Sequence, residues 1–170
     1  SVPDPRDPAL GLRVYAEDPA AIFAEVGARA PRPEEAAAQR VRHAIPETGV
    51  ELIPEETFIL EAGFERLNGV DFRKGCYVGQ EVTARMKHKT ALRKGLARVS
   101  VTGTAPPGTE IVTDEGKPAG TLFTIAGSRG LAHLRFDRAD GPLRAGEATV
   151  RLDDQPSAAK SAASPSRYVG

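Results

Sequence analysis

From Leu96 to Leu152 apolar and polar positions alternate. Ala97, Val99 and Val101 are interleaved with Arg98, Ser100 and Thr102; Ala132, Leu134 and Phe136 stand opposite His133 and Arg135; Ala148, Val150 and Leu152 repeat the pattern. A period of two marks strands with one buried face. Pro106-Pro107-Gly108, Asp114 to Pro118, Gly127-Ser128 and Pro142 to Gly146 supply the turns between them. Five or six short strands at this spacing predict a small antiparallel β-barrel, whose closure removes open edges.

Upstream the pattern is mixed. Leu12 to Ala16 alternates and predicts a short strand. Asp18 followed by Pro19 reads as an N-cap and first helical residue, opening a short helix through Ala21, Ile22, Glu25 and Val26 to Gly27. A second helix is predicted from Glu34, with Ala37, Val41, Ala44 and Ile45 on one face and Pro46 as its stop. Glu34 and Glu35 at its start and Arg42 and His43 at its end suit the helix dipole. Thr48 to Glu56 is irregular. Gly69 to Phe72 reads as a strand, and Val78, Val82 and Met86, spaced i, i+4, i+8, predict a helix running to about Lys87. Gln155 to Arg167 is Ser, Ala, Pro and Lys with little to bury, which predicts a disordered tail. The fold class is therefore α+β: a mixed region over 1–95, a barrel over 96–154 and a tail over 155–170. The barrel is expected to be separable from Leu12 to Lys87, with the Val78–Lys87 helix against one of its ends.

Charge narrows the function. Lys plus Arg and Asp plus Glu both number 23 in the 170 residues, so formal net charge is zero. That argues against a general nucleic-acid binder. One cysteine forms no internal disulfide, and no apolar run approaches a membrane span. The expectation is a cytoplasmic protein, or a mitochondrial matrix protein if the source is eukaryotic. Ser1 to Arg13 enters abruptly and without Met, which suggests the C-terminal part of a longer protein.

The candidate chemistry centres on Lys74-Gly75-Cys76-Tyr77-Val78-Gly79-Gln80-Glu81. The cysteine lies on a turn feeding a predicted helix N-terminus, two residues after Lys74, where a thiol is more easily ionised than a free one. The other reading is a small buried apolar side chain. Glu61 lies in the mostly apolar run Thr57 to Phe64, either solvated at an edge or placed for a ligand. Glu81 and Arg85, four apart, could pair on the helix. The cations Arg85, Lys87, Lys89, Arg93 and Lys94, with His88 among them, read as a solvated face or as an anion-holding surface. A single Cys and separated His43, His88 and His133 disfavour zinc.

The octet resembles the signature of the YgfZ family, folate-binding proteins that support iron–sulfur cluster assembly or repair. Leu60-Glu61-Ala62-Gly63-Phe64, Gly69 to Phe72, Val82 to Arg85 and Arg93-Lys94-Gly95-Leu96 resemble its flanks. The resemblance implies that 1–95 is the end of a folate-binding α+β region and that 96–154 is the C-terminal barrel of the aminomethyltransferase superfamily. It implies tetrahydrofolate as cofactor, iron–sulfur enzymes or assembly factors as partners, and tRNA modification as a dependent process. It makes Cys76 the functional thiol. It makes Glu61 the acceptor of pterin N–H groups, with Lys74, Tyr77, Gln80, Glu81 and Arg85 as further binding candidates and the cationic run as a holder of the folate tail. The chain departs from the family at Ile59, where a proline is usual, and at Gly63, where an asparagine is usual. One thiolate supplies one of a cluster's four ligands, so a scaffold role needs ligands from elsewhere. The alternatives are a folate-dependent aminomethyltransferase, which generally lacks this cysteine, and a purely structural module. Whether the chain is an enzyme stays open.

Overall fold

The computed structural model describes residues 1–89 and 92–153. The sequence expectation for the tail after Gln155 lies outside the described residues. At the start, β1 (Val2–Pro3) and β2 (Leu12–Arg13) form a two-stranded antiparallel ribbon. The strand expected through Ala16 is shorter than its alternation suggests, because only Leu12 and Arg13 find partners on β1. The buried Asp4 carboxylate pins this ribbon by accepting from Arg6 and from Arg13 Nε at 2.9 Å. These guanidinium contacts hold Asp4 far below the usual carboxylate range.

Helix α1 (Pro19–Glu25) starts as read from the sequence: Asp18 accepts from the Ala20 and Ala21 N–H groups, and Pro19 occupies the first turn. Helix α2 (Pro33–His43) ends where Ala44 turns left-handed, at φ 49°, just before Pro46. Val41 and Ile45 on its predicted face are buried. The C-terminal carbonyls of α2 draw in arginines from other parts of the chain. Arg66 donates to the His43 and Ala44 carbonyls at 3.0 and 2.6 Å, and Arg98 donates to the Arg42 carbonyl at 2.8 Å. Cations at a helix C-terminus meet both its unpaired carbonyls and its negative dipole end.

The expected strand at Gly69 to Phe72 does not form. Gly69 and Val70 donate back to the Phe64 carbonyl at 2.7 and 3.3 Å, and Asp71 accepts from the Arg73 N–H at 2.8 Å. These local bonds consume the donors that a ladder would need. Helix α3 (Gln80–Lys89) also begins later than its apolar spacing suggests. Gly79 at φ 83° precedes it, and Val78 lies outside it, fully exposed. Among the described side chains of α3 the buried one is Thr83, while Val82 is 53% exposed. The i, i+4, i+8 stripe is therefore not the packed face. α3 is tied instead by Lys87, whose ammonium meets Glu65 at 2.6 Å and lies over the Phe72 ring.

Six antiparallel strands follow: β3 (Lys94–Thr102), β4 (Thr109–Thr113), β5 (Pro118–Ala126), β6 (Arg129–Arg135), β7 (Leu143–Ala145) and β8 (Ala148–Leu152). They close in the order β3-β6-β5-β4-β7-β8, with β8 pairing back on β3. Ala97, Val99, Val101, Ala132, Leu134, Ala148 and Val150 fill the interior as their alternation predicts, and Phe136 and Leu152 pack against them. The α+β architecture with a small barrel is thus the one expected. Among the described residues the main helix packed on the barrel is α2, lying against β5 and β6. The outward-facing Leu131 of β6 is accordingly buried although it lies outside the barrel core.

Candidate functional site

Two sequence motifs meet where the mixed region touches the barrel. Leu96 at the start of β3 donates its N–H to the Glu61 carbonyl at 2.7 Å. Gly95 makes this approach possible, because a Cβ there would stand 2.9 Å from the same carbonyl oxygen. Leu60 and Ala62 are buried on either side, which turns the Glu61 carboxylate toward the outer face of the barrel at 7% exposure. There its Oε2 lies 3.4 Å from Lys94 Nζ and 3.3 Å from His133 Nε2. The β3–β6 register pairs Leu96 with His133 and Lys94 with Arg135, so Lys94 and His133 are diagonal neighbours on one face. Lys94 also lies 6.0 Å from the Phe58 ring centroid. Burial pushes the His133 imidazole below its ordinary value; the Glu61 carboxylate opposes this and the Lys94 cation adds to it. Beside its two basic partners the carboxylate has room to accept further N–H donors, since it offers about four lone-pair sites.

The cysteine forms a second, separate centre. Cys76 is exposed in the loop leading to α3. Gly75 and Gly79 flank it at φ 92° and 83°, the left-handed region that other residues avoid. Gln80 closes the loop: its Oε1 accepts the Tyr77 N–H at 3.1 Å, and its own N–H reaches the Tyr77 carbonyl at 3.3 Å. Lys74 leans over the Tyr77 ring at 5.2 Å from its centroid. Glu81 and Arg85 are both exposed, and no ion pair joins them among the described residues. Lys74, Cys76, Tyr77, Gln80, Glu81 and Arg85 thus belong to one exposed loop and helix start, and Glu61 belongs to the barrel junction. A shallow groove of about 400 Å³ is lined by Glu65, Asn68, Val70, Asp71, Phe72 and Arg73, without Glu61 or Cys76.

Nothing within 4 Å would meet a Cβ at Gly75, so Gly75→Ala carries backbone strain alone. We expect it to lower unfolding free energy by about 1–2 kcal/mol and to change the alkylation rate of Cys76. Urea titration and a thiol-reaction time course check both.

Among the described residues no group of three or more His, Cys, Asp or Glu side chains is placed to hold a metal ion. No helix among them is long and apolar enough to cross a membrane. The residues that sequence reasoning missed are His133, which was weighed only as a zinc ligand, and the interior network of Arg40, Glu51 and Thr124. The one signal for the first was the Arg93-Lys94-Gly95-Leu96 segment, whose role as the seat of Glu61 has no local signature.

The barrel matches a described domain type. Residues 93–160 match the family "CAF17, C-terminal beta-barrel domain". The chain is similar over more of its length to proteins named iron-sulfur cluster assembly factor IBA57, mitochondrial. It is 36% identical over 146 residues to that of Mus musculus and 33% identical over 145 residues to that of Homo sapiens, covering 82% of this chain and 40% of each relative. A homologue from Mycosarcoma maydis is 32% identical over 170 residues, covering 88% of this chain and 41% of its own length. The chain thus spans about two fifths of the length of these relatives. Iron–sulfur assembly is part of their names, as the family resemblance led one to expect, and folate is not.

Proposed function

We propose that this chain belongs to an iron–sulfur cluster assembly factor in which Cys76 is the working thiol. The observation that carries the reading is the exposed Cys76 on a loop bent by two left-handed glycines, in a chain similar to proteins named for that task. A single thiolate contributes one of four ligands. Cys76 therefore acts together with ligands from a partner, as a transient ligand or a redox thiol, and the cluster is cargo. The relatives are named mitochondrial, and a matrix location follows for this protein if its source is eukaryotic.

The cofactor reading extends the proposal to tetrahydrofolate. Its support is the Leu-Glu-Ala-Gly context and the burial of Glu61 as a carboxylate flanked by Lys94 and His133. Such a group fits the adjacent N–H donors on one edge of a pterin. The chain spans about two fifths of its relatives' length, and a ligand pocket needs walls on several sides, so the rest of a longer protein would supply some of them. Glu61→Gln in the intact protein is expected to weaken tetrahydrofolate binding by about 5- to 100-fold, read by calorimetric titration.

The thiol is tested in cells lacking the endogenous protein. Cys76→Ala should fold with an unchanged melting temperature, because the side chain is exposed. It should fail to restore iron–sulfur enzyme activity that the wild type restores. Full restoration by Cys76→Ala would remove the thiol from the function.

A further inference from the structure

We propose that His133 is the positioning residue for Glu61, and that through it the barrel takes part in the ligand site. The nearest approach of both basic groups to the Glu61 carboxylate is at one oxygen, Oε2, 3.3 Å from His133 and 3.4 Å from Lys94. The two partners differ in how firmly they are held. Lys94 is 47% exposed and carries its charge on a flexible stem. His133 is 28% exposed and sits inside β6, paired with Leu96 of β3 on one side and Thr121 of β5 on the other. Its ring has two torsions and a backbone locked by two ladders.

Among the described residues, the charged groups facing His133 are Glu61 from the loop and Lys94 from β3. Arg135, two residues further along the same face, is engaged with Asp137 at 3.0 Å, and the neighbour on β5 is the uncharged Thr121. A neutral ring facing a carboxylate must carry its proton on Nε2 to donate. His133 then holds the carboxylate at Oε2, and its remaining lone pairs are available to N–H donors of a ligand. The ligand half of this proposal rests on the folate reading above. The contact between His133 and Glu61 does not.

Two measurements separate the halves. The first is an NMR titration of the His133 ring in the 170-residue chain. The Nε2–H tautomer is expected, together with a lower titration midpoint in Glu61→Gln, because the anion that opposes burial is gone. An Nδ1–H tautomer, or a midpoint unmoved by Glu61→Gln, overturns the positioning role. The second is tetrahydrofolate affinity against pH in the intact protein, comparing wild type, His133→Gln and His133→Leu. His133→Leu should weaken binding about tenfold. His133→Gln, whose amide can donate, should bind within about threefold of wild type near neutral pH. Wild-type affinity should hold down through about pH 6.5, the ordinary imidazole value, and fall only at lower pH, because burial delays formation of an imidazolium that competes for the carboxylate; His133→Gln should lack that step. Wild-type affinity in His133→Leu overturns the proposal. Absence of folate binding by the wild type overturns the ligand half and the folate reading, and the NMR titration then decides the contact alone.

Discussion

Arg40→Met is expected to lower the free energy of unfolding by about 3–5 kcal/mol, the scale for removing one member of a buried ion pair. The Glu51 side chain is 0% exposed, and its Oε2 lies 3.0 Å from Arg40 Nη1. The same carboxylate accepts the Glu47 N–H at 3.0 Å and the Thr124 hydroxyl. Arg40 in turn donates to Thr124 Oγ1 at 3.1 Å and pairs with Glu47 at 2.9 Å. Methionine keeps most of the stem volume but removes the charge and every donor. Glu51 is left with one hydroxyl and one N–H and no cation in a place closed to water. Because Thr124 is on β5 and Arg40 on α2, the loss falls on the joint between the mixed region and the barrel. Thermal unfolding should shift down by roughly 6–20 °C for a chain of this size. The double variant Arg40→Met with Glu51→Leu should recover more than half of the loss, since an apolar pair of similar volume has no buried charge to leave bare. A single-variant loss under about 1 kcal/mol, the scale of an exposed pair, would show that the network is open to solvent.

That network explains what was legible in the sequence and what was not. The barrel was readable because closure forces strict alternation, and Ala97, Val99 and Val101 follow it without exception. The start of α1 was readable because Asp18 and Pro19 act through adjacent backbone groups. α3 was legible as a helix after the Cys76 turn, but its start and packed face were not, because Val78 and Val82 look the same in sequence whether packed or exposed, and here they are exposed. Gly69 to Phe72 failed as a strand because its donors turn back to Phe64, a choice that β propensity does not report. Cys76 was legible as a residue on a glycine-bent turn, and Glu61 as a carboxylate in apolar company. Their surroundings were not. Arg40 and Thr124 are 84 residues apart, and the partners of Glu61 come from two different strands. Ion pairs of that separation leave no period to read. Arg40 in particular looks like a surface charge on the polar side of an amphipathic helix.

Gly95→Ala distinguishes local propensity from the contact made in the fold. Gly95 has an ordinary strand conformation, so alanine there would by propensity alone stabilise the protein by about 0.5–1 kcal/mol. The fold reverses the sign. The new Cβ would stand 2.9 Å from the Glu61 carbonyl oxygen and 3.5 Å from the Phe136 ring. The first of these is backbone and cannot swing aside, and the Leu96 N–H is bonded to the same oxygen at 2.7 Å. The segment carrying Glu61 must therefore lift from β3. Lifting leaves the Leu96 donor unpaired and draws the Glu61 carboxylate away from Lys94 and His133. The expected loss is roughly 2–4 kcal/mol, an overpacking strain together with an unmade buried hydrogen bond. The His133 ring should then titrate lower than in the wild type, because the anion that opposes its burial has moved off. Urea unfolding gives the sign of the stability change, and the ring titration tells whether Glu61 has moved. A gain in stability with unchanged His133 titration would mean that Glu61 does not rest on the barrel.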